Sequence, residues 1–156
     1  MVSAVEVAGS VVDPEIRAVT IADLGILRDV AVDGDRVTVT ITPTYAGCPA
    51  MDVIRTDIRR ALAAAGYPEV AVVTALAPAW STDWITVAGR AKLAAAGIAP
   101  PGPAARSGPI PLRLSVGCPR CGSTDTEELS RFGSTACKSL WRCRACAEPF
   151  DRVKPL

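Results

Sequence analysis

Six cysteines and no histidine bound the chemistry open to this 156-residue chain. Four of the cysteines form two C-x-x-C knuckles, Cys118-Pro119-Arg120-Cys121 and Cys143-Arg144-Ala145-Cys146, separated by residues 122–142. Each short loop turns two sulfurs to one side, and two such loops complete a tetrahedral thiolate shell with the spacing of a zinc ribbon. Zinc is the expected metal, and a rubredoxin-like iron site is the competing assignment, since both ions accept four thiolates. With every position filled by protein, the ion would be structural rather than catalytic. Cys137, next to Lys138, is left over: an additional reactive thiol, a spare ligand, or a loop cysteine without chemistry.

Cys48 is the one cysteine of the first hundred residues, and it sits in Thr42-Pro43-Thr44-Tyr45-Ala46-Gly47-Cys48-Pro49-Ala50-Met51, where a strand meets a helix. Before it, Val37, Val39 and Ile41 alternate with Thr38, Thr40 and Thr42, the period of a strand with one buried face. After it, Met51, Ile54, Ile58, Leu62 and Ala65 recur at helical spacing with charged residues opposite them. Pro49 suits the first helical position, so Cys48 is expected at the N-cap, its sulfur aimed at unpaired N–H groups and its thiolate favoured by the helix dipole. A thiolate binds soft metals or attacks electrophiles, which makes Cys48 a candidate for metal handling or thiol chemistry. A half-buried, inert cysteine is the other reading of the same position.

The missing histidines remove Ser-His-Asp and Cys-His catalytic pairs, His-ligated zinc water and Glu-x-x-His di-iron sites. Residues 1–100 hold 8 Lys and Arg against 11 Asp and Glu, and residues 101–156 hold 9 against 5, so the halves carry −3 and +4. A zinc ion with four thiolates carries a formal −2, which cancels half of that excess and weakens the case for nucleic acid. No secretory leader or membrane-length apolar run is visible, so a cytoplasmic protein without a membrane role is expected, in which metal explains the cysteines better than disulfides do.

The elements that position these residues follow from pattern. A short helix is expected over residues 3–9, then Asp13-Pro14-Glu15 as N-cap, first helical residue and first-turn acid. Residues 20–25 read as a turn and 26–32 as a strand, with Asp33-Gly34-Asp35 as the hairpin into the next strand. The helix after Cys48 closes at Gly66, residues 70–76 form a third strand, and Pro78-Ala79-Trp80 leads to a last helix over 82–96. The fold class is therefore α+β, with helices on a three-stranded sheet in residues 1–98. Residues 99–113 read as a Pro/Gly-rich, semi-rigid linker, and 114–156 as a ribbon whose hairpin spans 124–131 and 138–142. Tyr45 and Trp80 read mainly as packing residues.

Asp13-Pro14-Glu15, Asp23-Leu24-Gly25, Thr44-x-x-x-Cys48-Pro49 and Pro78-x-Trp80, in this order, resemble the MIP18 family, the fold also called domain of unknown function 59, whose members serve in iron–sulfur cluster assembly. With Thr42-Pro43-Thr44-Tyr45-x-Gly47-Cys48-Pro49, Phe132-Gly133-Ser134-Thr135-x-Cys137-Lys138 and Glu148-Pro149-Phe150-Asp151 added, the chain resembles the phenylacetate-degradation protein D family, whose members are counted among the subunits of 1,2-phenylacetyl-CoA epoxidases. The resemblance implies an accessory protein without catalytic activity of its own, which helps mature a metal centre of a multicomponent oxygenase. The implied partners are the di-iron oxygenase subunit or the iron–sulfur flavin reductase. Cys48 is then expected to hold iron or a cluster transiently, with Asp13 and Glu15 nearby. One cysteine is too few for a four-cysteine cluster, so a second copy in a homodimer or the client must complete the shell. Two rival readings remain: a thiol or redox enzyme using Cys48 and Cys137, and a zinc-ribbon module for nucleic acid or protein.

Overall fold

The computed structural model describes residues 2–102 and 115–155. The chain divides into two compact units, residues 1–80 with 84–89, and 81–83 with 90–156. Most of the expected linker, residues 103–113, lies outside the described residues.

The first unit opens with α1 (Ala4–Gly9), whose Ser3 and Glu6 form a reciprocal capping box. An antiparallel hairpin follows, β1 (Leu27–Asp33) and β2 (Arg36–Ile41), with Asp33 opposite Arg36. Only Gly34 and Asp35 lie between them, and Gly34 takes the positive φ of 56° that such a tight loop needs. Helix α2 (Ala50–Ala64) crosses over to β3 (Glu69–Thr74), which pairs parallel to β2, giving the sheet order β1-β2-β3. Val37, Val39 and Ile41 are completely buried, as are Ile54, Ile58 and Leu62 of α2. The two apolar stripes of the sequence are thus the two halves of the core.

Residues 14–18 form bends and turns rather than the helical start expected after Asp13. Asp13 instead closes the turn itself, its carboxylate accepting the N–H groups of Glu15 and Ile16 at 2.9 and 2.6 Å. The last helix is also shorter than expected: Thr82–Trp84 form a single 3₁₀ turn, and α3 runs over Val87–Ala95. Arg90 donates to the carbonyls of Thr82 and Pro101, so an arginine fastens the segments on either side of the helix.

The second unit is richer than a hairpin. β5 (Thr126–Ser130), β6 (Lys138–Cys143) and β7 (Pro149–Val153) form an antiparallel meander. β4 (Ile98–Ala99) adds a parallel edge beside Asp151 and Arg152, in the order β4-β7-β6-β5. Ala99, expected to begin the linker, is therefore a strand residue; two residues of pairing leave too little pattern in the sequence to reveal a strand. Ala99, Val116, Cys118, Trp141, Cys143 and Phe150 make the apolar cluster of this unit.

Candidate functional site

Cys48 sits in a loop that its neighbours close locally. Its N–H donates to the Tyr45 carbonyl at 3.3 Å and its own carbonyl accepts the Met51 N–H at 3.2 Å. Gly47 before it takes φ 83°, a left-handed conformation that disfavours any side chain there. The cap position belongs to Pro49, whose side chain offers no cap bond, so Cys48 lies one residue outside the expected N-cap. Its sulfur still accepts the Ala50 N–H.

The shift of the Cys48 thiol runs opposite to the one expected at a helix N-terminus. Burial pushes the Cys48 thiol above its ordinary value of 9.0, the Ala50 N–H and the Tyr45 hydroxyl oppose that rise, and the charges of Glu15 and Asp13 add to it. The helix-end donor is present, but desolvation and two like charges outweigh it. Glu15 and Asp13 thus act on Cys48 through their charge, and Tyr45 is its direct partner; among the described residues the ligand atoms that lie close enough together to hold a metal are those of the ribbon, not Cys48, Asp13 and Glu15. Asp13 is buried at 5 % exposure and anchors its turn, while Glu15 is half-buried. Tyr45, read from the sequence as packing, is a direct partner of the thiol; its place three residues upstream across a turn was the available signal. Tyr45 also lines an apolar hollow of about 200 Å³ with Thr42, Thr44, Leu76 and Trp80.

Asp23-Leu24-Gly25 and Trp80 have structural work instead. The Leu24 carbonyl accepts the Trp80 indole N–H at 2.9 Å, and the Asp23 carbonyl accepts the Thr86 N–H at 2.9 Å. Gly25, at φ 70°, lies so close to Trp84 that an added Cβ would sit 2.6 Å from its backbone oxygen. Trp80 is buried, as expected of a packing residue.

In the second unit, the sulfurs of Cys118, Cys121, Cys143 and Cys146 all lie within 4.8 Å of one another. The two knuckles are built alike. Each ends on a left-handed residue just after its second cysteine, Gly122 at φ 75° and Ala147 at φ 62°. Backbone N–H groups point at the sulfurs: Ser123 at Cys121, Cys146 and Ala145 at Cys143, and Glu148 at Cys146. The Cys146 N–H, followed by contacts from Cys121 and Ala145, brings the Cys143 thiol down to about 7, while the neighbouring sulfurs and burial push Cys121 up and Cys146 up to about 12, so that without an ion the four sulfurs share their protons unevenly. Donors aimed at sulfur favour thiolates, and thiolates at this separation fit a tetrahedral ion. Cys137 stands outside this cluster; its sulfur lies 3.0 Å from the Thr135 hydroxyl.

Residues 4–76 match the family described as iron-sulfur cluster assembly protein, and residues 105–154 match the PaaD zinc beta ribbon domain. A protein of Escherichia coli K12, provisionally named as a subunit of 1,2-phenylacetyl-CoA epoxidase, is 48 % identical over 91 % of this chain and 85 % of its own. The chain belongs to the PaaD family of phenylacetyl-CoA epoxidase subunits. The stretch that matches the family's ribbon carries a four-cysteine cluster suited to metal. Its first unit has a second set of relatives: a Bacillus subtilis protein named Fe-S protein maturation auxiliary factor YitW is 40 % identical over 47 % of this chain and 70 % of its own. The crystal structure of a DUF59 domain from Bacillus anthracis superposes with TM-score 0.54 at 28 % identity, covering 58 % of this chain and 87 % of that one. The sequence resemblance to the MIP18 fold and to the phenylacetate-degradation protein D family is borne out, as is the α+β class with a C-terminal ribbon. Among the described residues, no helix is long and apolar enough to cross a membrane.

Proposed function

We propose that this chain is an accessory subunit of a multicomponent phenylacetyl-CoA epoxidase and assists assembly of an iron or iron–sulfur centre in another subunit, with Cys48 as the transient ligand. The observation that carries this reading is a half-buried Cys48 beside Tyr45 and within the field of Glu15 and Asp13, in a chain whose relatives include proteins named for Fe-S protein maturation. Two carboxylates that oppose a thiolate attract a cation, and a cation's own charge reverses the balance: as iron arrives, the thiol gives up its proton and becomes a ligand. In this scheme Asp13 holds the turn and Glu15 supplies an oxygen or accepts the proton. Cys48 offers a single sulfur and no preformed shell, so the cargo is passed on, with the client or a second copy supplying the missing ligands. The ribbon is a structural zinc module, and the chain performs no epoxidation itself.

The upward shift of the Cys48 thiol supports metal transfer over the thiol-enzyme reading, because a cysteine used as nucleophile or redox centre is activated by a lowered pKa, whereas an arriving cation displaces the proton itself. The ribbon's cations weaken the nucleic-acid reading. Arg142 and Arg144 are paired with Glu127, Arg120 with Glu148 and Lys138 with Asp151, leaving few to meet phosphates.

The test is metal and acid-labile sulfide content of anaerobically purified wild type and Cys48→Ser, with cofactor content of the epoxidase subunits in cells carrying each. Zinc in both proteins, iron in wild type alone and under-loaded subunits in the variant are expected. Fully loaded subunits in the Cys48→Ser cells would overturn the mechanism.

A further inference from the structure

The loop between β5 and β6 carries a motif that metal handling does not use, Phe132-Gly133-Ser134-Thr135-Ala136-Cys137-Lys138. A single exposed apolar residue needs no explanation; the bracing behind this one does. Phe132 is 72 % exposed, yet the loop it begins is fastened at nearly every residue. Lys138, only 4 % exposed, sits behind the loop with its ammonium 3.5 Å from the Asp151 carboxylate. Asp151 also accepts the Ser134 hydroxyl at 2.7 Å, and its other oxygen occupies the space where a Cβ on Gly133 would lie, 2.6 Å away. The Gly133 N–H donates to the Lys138 carbonyl at 2.8 Å, and the Lys154 ammonium donates to the Ala136 carbonyl at 2.8 Å. Burying a lysine is costly unless it is paired. Here that cost holds a loop whose leading side chain contributes nothing to the core.

The surroundings of Phe132 describe what it fits. Leu129, three residues earlier at the irregular end of edge strand β5, is 48 % exposed. The Lys154 ammonium stands 4.7 Å from the Phe132 ring centroid, and exposed Arg131 precedes the ring. The neighbouring carboxylate, Asp151, is turned inward onto Lys138 and Ser134. The tip is therefore apolar at its centre and positive at its rim, on a backbone ordered in advance. Pre-ordering lowers the cost of association, and a rigid aromatic anchor is the usual centre of a binding hot spot.

We infer that the Phe132 tip is the docking element through which this chain engages another epoxidase subunit, inserting the ring into an apolar cleft rimmed by carboxylates. This rests on the accessory-subunit reading above. The experiment measures affinity of the full-length protein for each of the other purified epoxidase subunits, using wild type, Phe132→Ala and Arg131→Glu, with zinc content as the check on folding. Phe132→Ala should weaken binding at least about 30-fold with zinc retained. Arg131→Glu should weaken it less, and the wild-type affinity should fall as salt rises. If Phe132→Ala binds within twofold of wild type, the docking inference is wrong and the assembly role stands. Should wild type bind none of the subunits, the accessory-subunit reading fails and takes the inference with it.

Discussion

Removing the metal from the four-thiolate cluster should unfold the ribbon and leave the first unit standing. The large apolar side chains clustered around the site are Trp141 and Phe150, at 7 and 5 % exposure. At about 1.5–3 kcal/mol for each large buried side chain, the pair stabilises by about 3–6 kcal/mol. A structural zinc site contributes about 10–16 kcal/mol, so the ion outweighs the core it sits beside. Cys143→Ser should be as damaging as chelation, since Cys143 is both a ligand and a completely buried member of that cluster. The tryptophans separate the two units: the Trp141 indole donates to the Ser139 hydroxyl at 2.8 Å in the ribbon, and the Trp80 indole donates to the Leu24 carbonyl in the first unit. Indole N–H resonances followed during titration with a strong chelator should show the Trp141 signal moving to its unfolded position as one zinc per chain is released, with Trp80 unchanged. If zinc leaves and the Trp141 signal and the strand amides keep their folded shifts, the core suffices without metal and the reasoning fails.

Three further outcomes follow from geometry. Glu15→Gln removes a like charge from Cys48, so its pKa should fall and its alkylation at pH 8, read on the Cys48 peptide by mass spectrometry, should quicken; an unchanged rate would separate Glu15 from the thiol. The sign for stability is the companion check: because folding raises this pKa, the protonated thiol stabilises the fold below the unfolded value, and the contribution is lost as pH rises through the folded value. Gly25→Ala should cost about 3 kcal/mol or more in chemical denaturation, because a Cβ at φ 70° would meet Trp84 backbone at 2.6 Å. Ala147→Gly should stabilise the ribbon by about 1 kcal/mol, measured as slower zinc loss, because Ala147 holds the left-handed position that Gly122 fills in the first knuckle.

What could be read from the sequence was what repeats with a period or comes as a fixed spacing. Val37, Val39 and Ile41 announced a half-buried strand, Ile54, Ile58 and Leu62 an amphipathic helix, and the paired C-x-x-C runs a four-sulfur cluster. What escaped was set by neighbours distant in sequence. Asp13 and Pro14 carry the local signature of a helix start, yet the segment turns back so that the Asp13 N–H meets the Val19 carbonyl. β4 is held by two residues of pairing with β7, far along the chain. The sign of the Cys48 shift was illegible for the same reason: the helix-end donor is local, whereas the burial and the charge of Glu15 that outweigh it come from tertiary packing.

In the proposed function, the two kinds of cysteine site divide holding from handing over. Sulfurs in the ribbon are presented by matched knuckles with backbone donors aimed at them, a shell that is complete without any partner. Such a shell favours retention, because releasing the ion would expose four thiolates to one another. Cys48 has the opposite arrangement, one sulfur whose pKa burial and the charges of Glu15 and Asp13 push up, beside the Tyr45 phenol. An ion that lands there gains attraction from the acids but finds no second thiolate, so a client offering a fuller shell lies downhill. Adding a thiol is then the informative perturbation: Glu15→Cys should turn a transient site into a retentive one. Iron content of the purified variant should rise while cofactor content of the client subunits falls, and a variant that loads its clients as well as wild type does would refute the division.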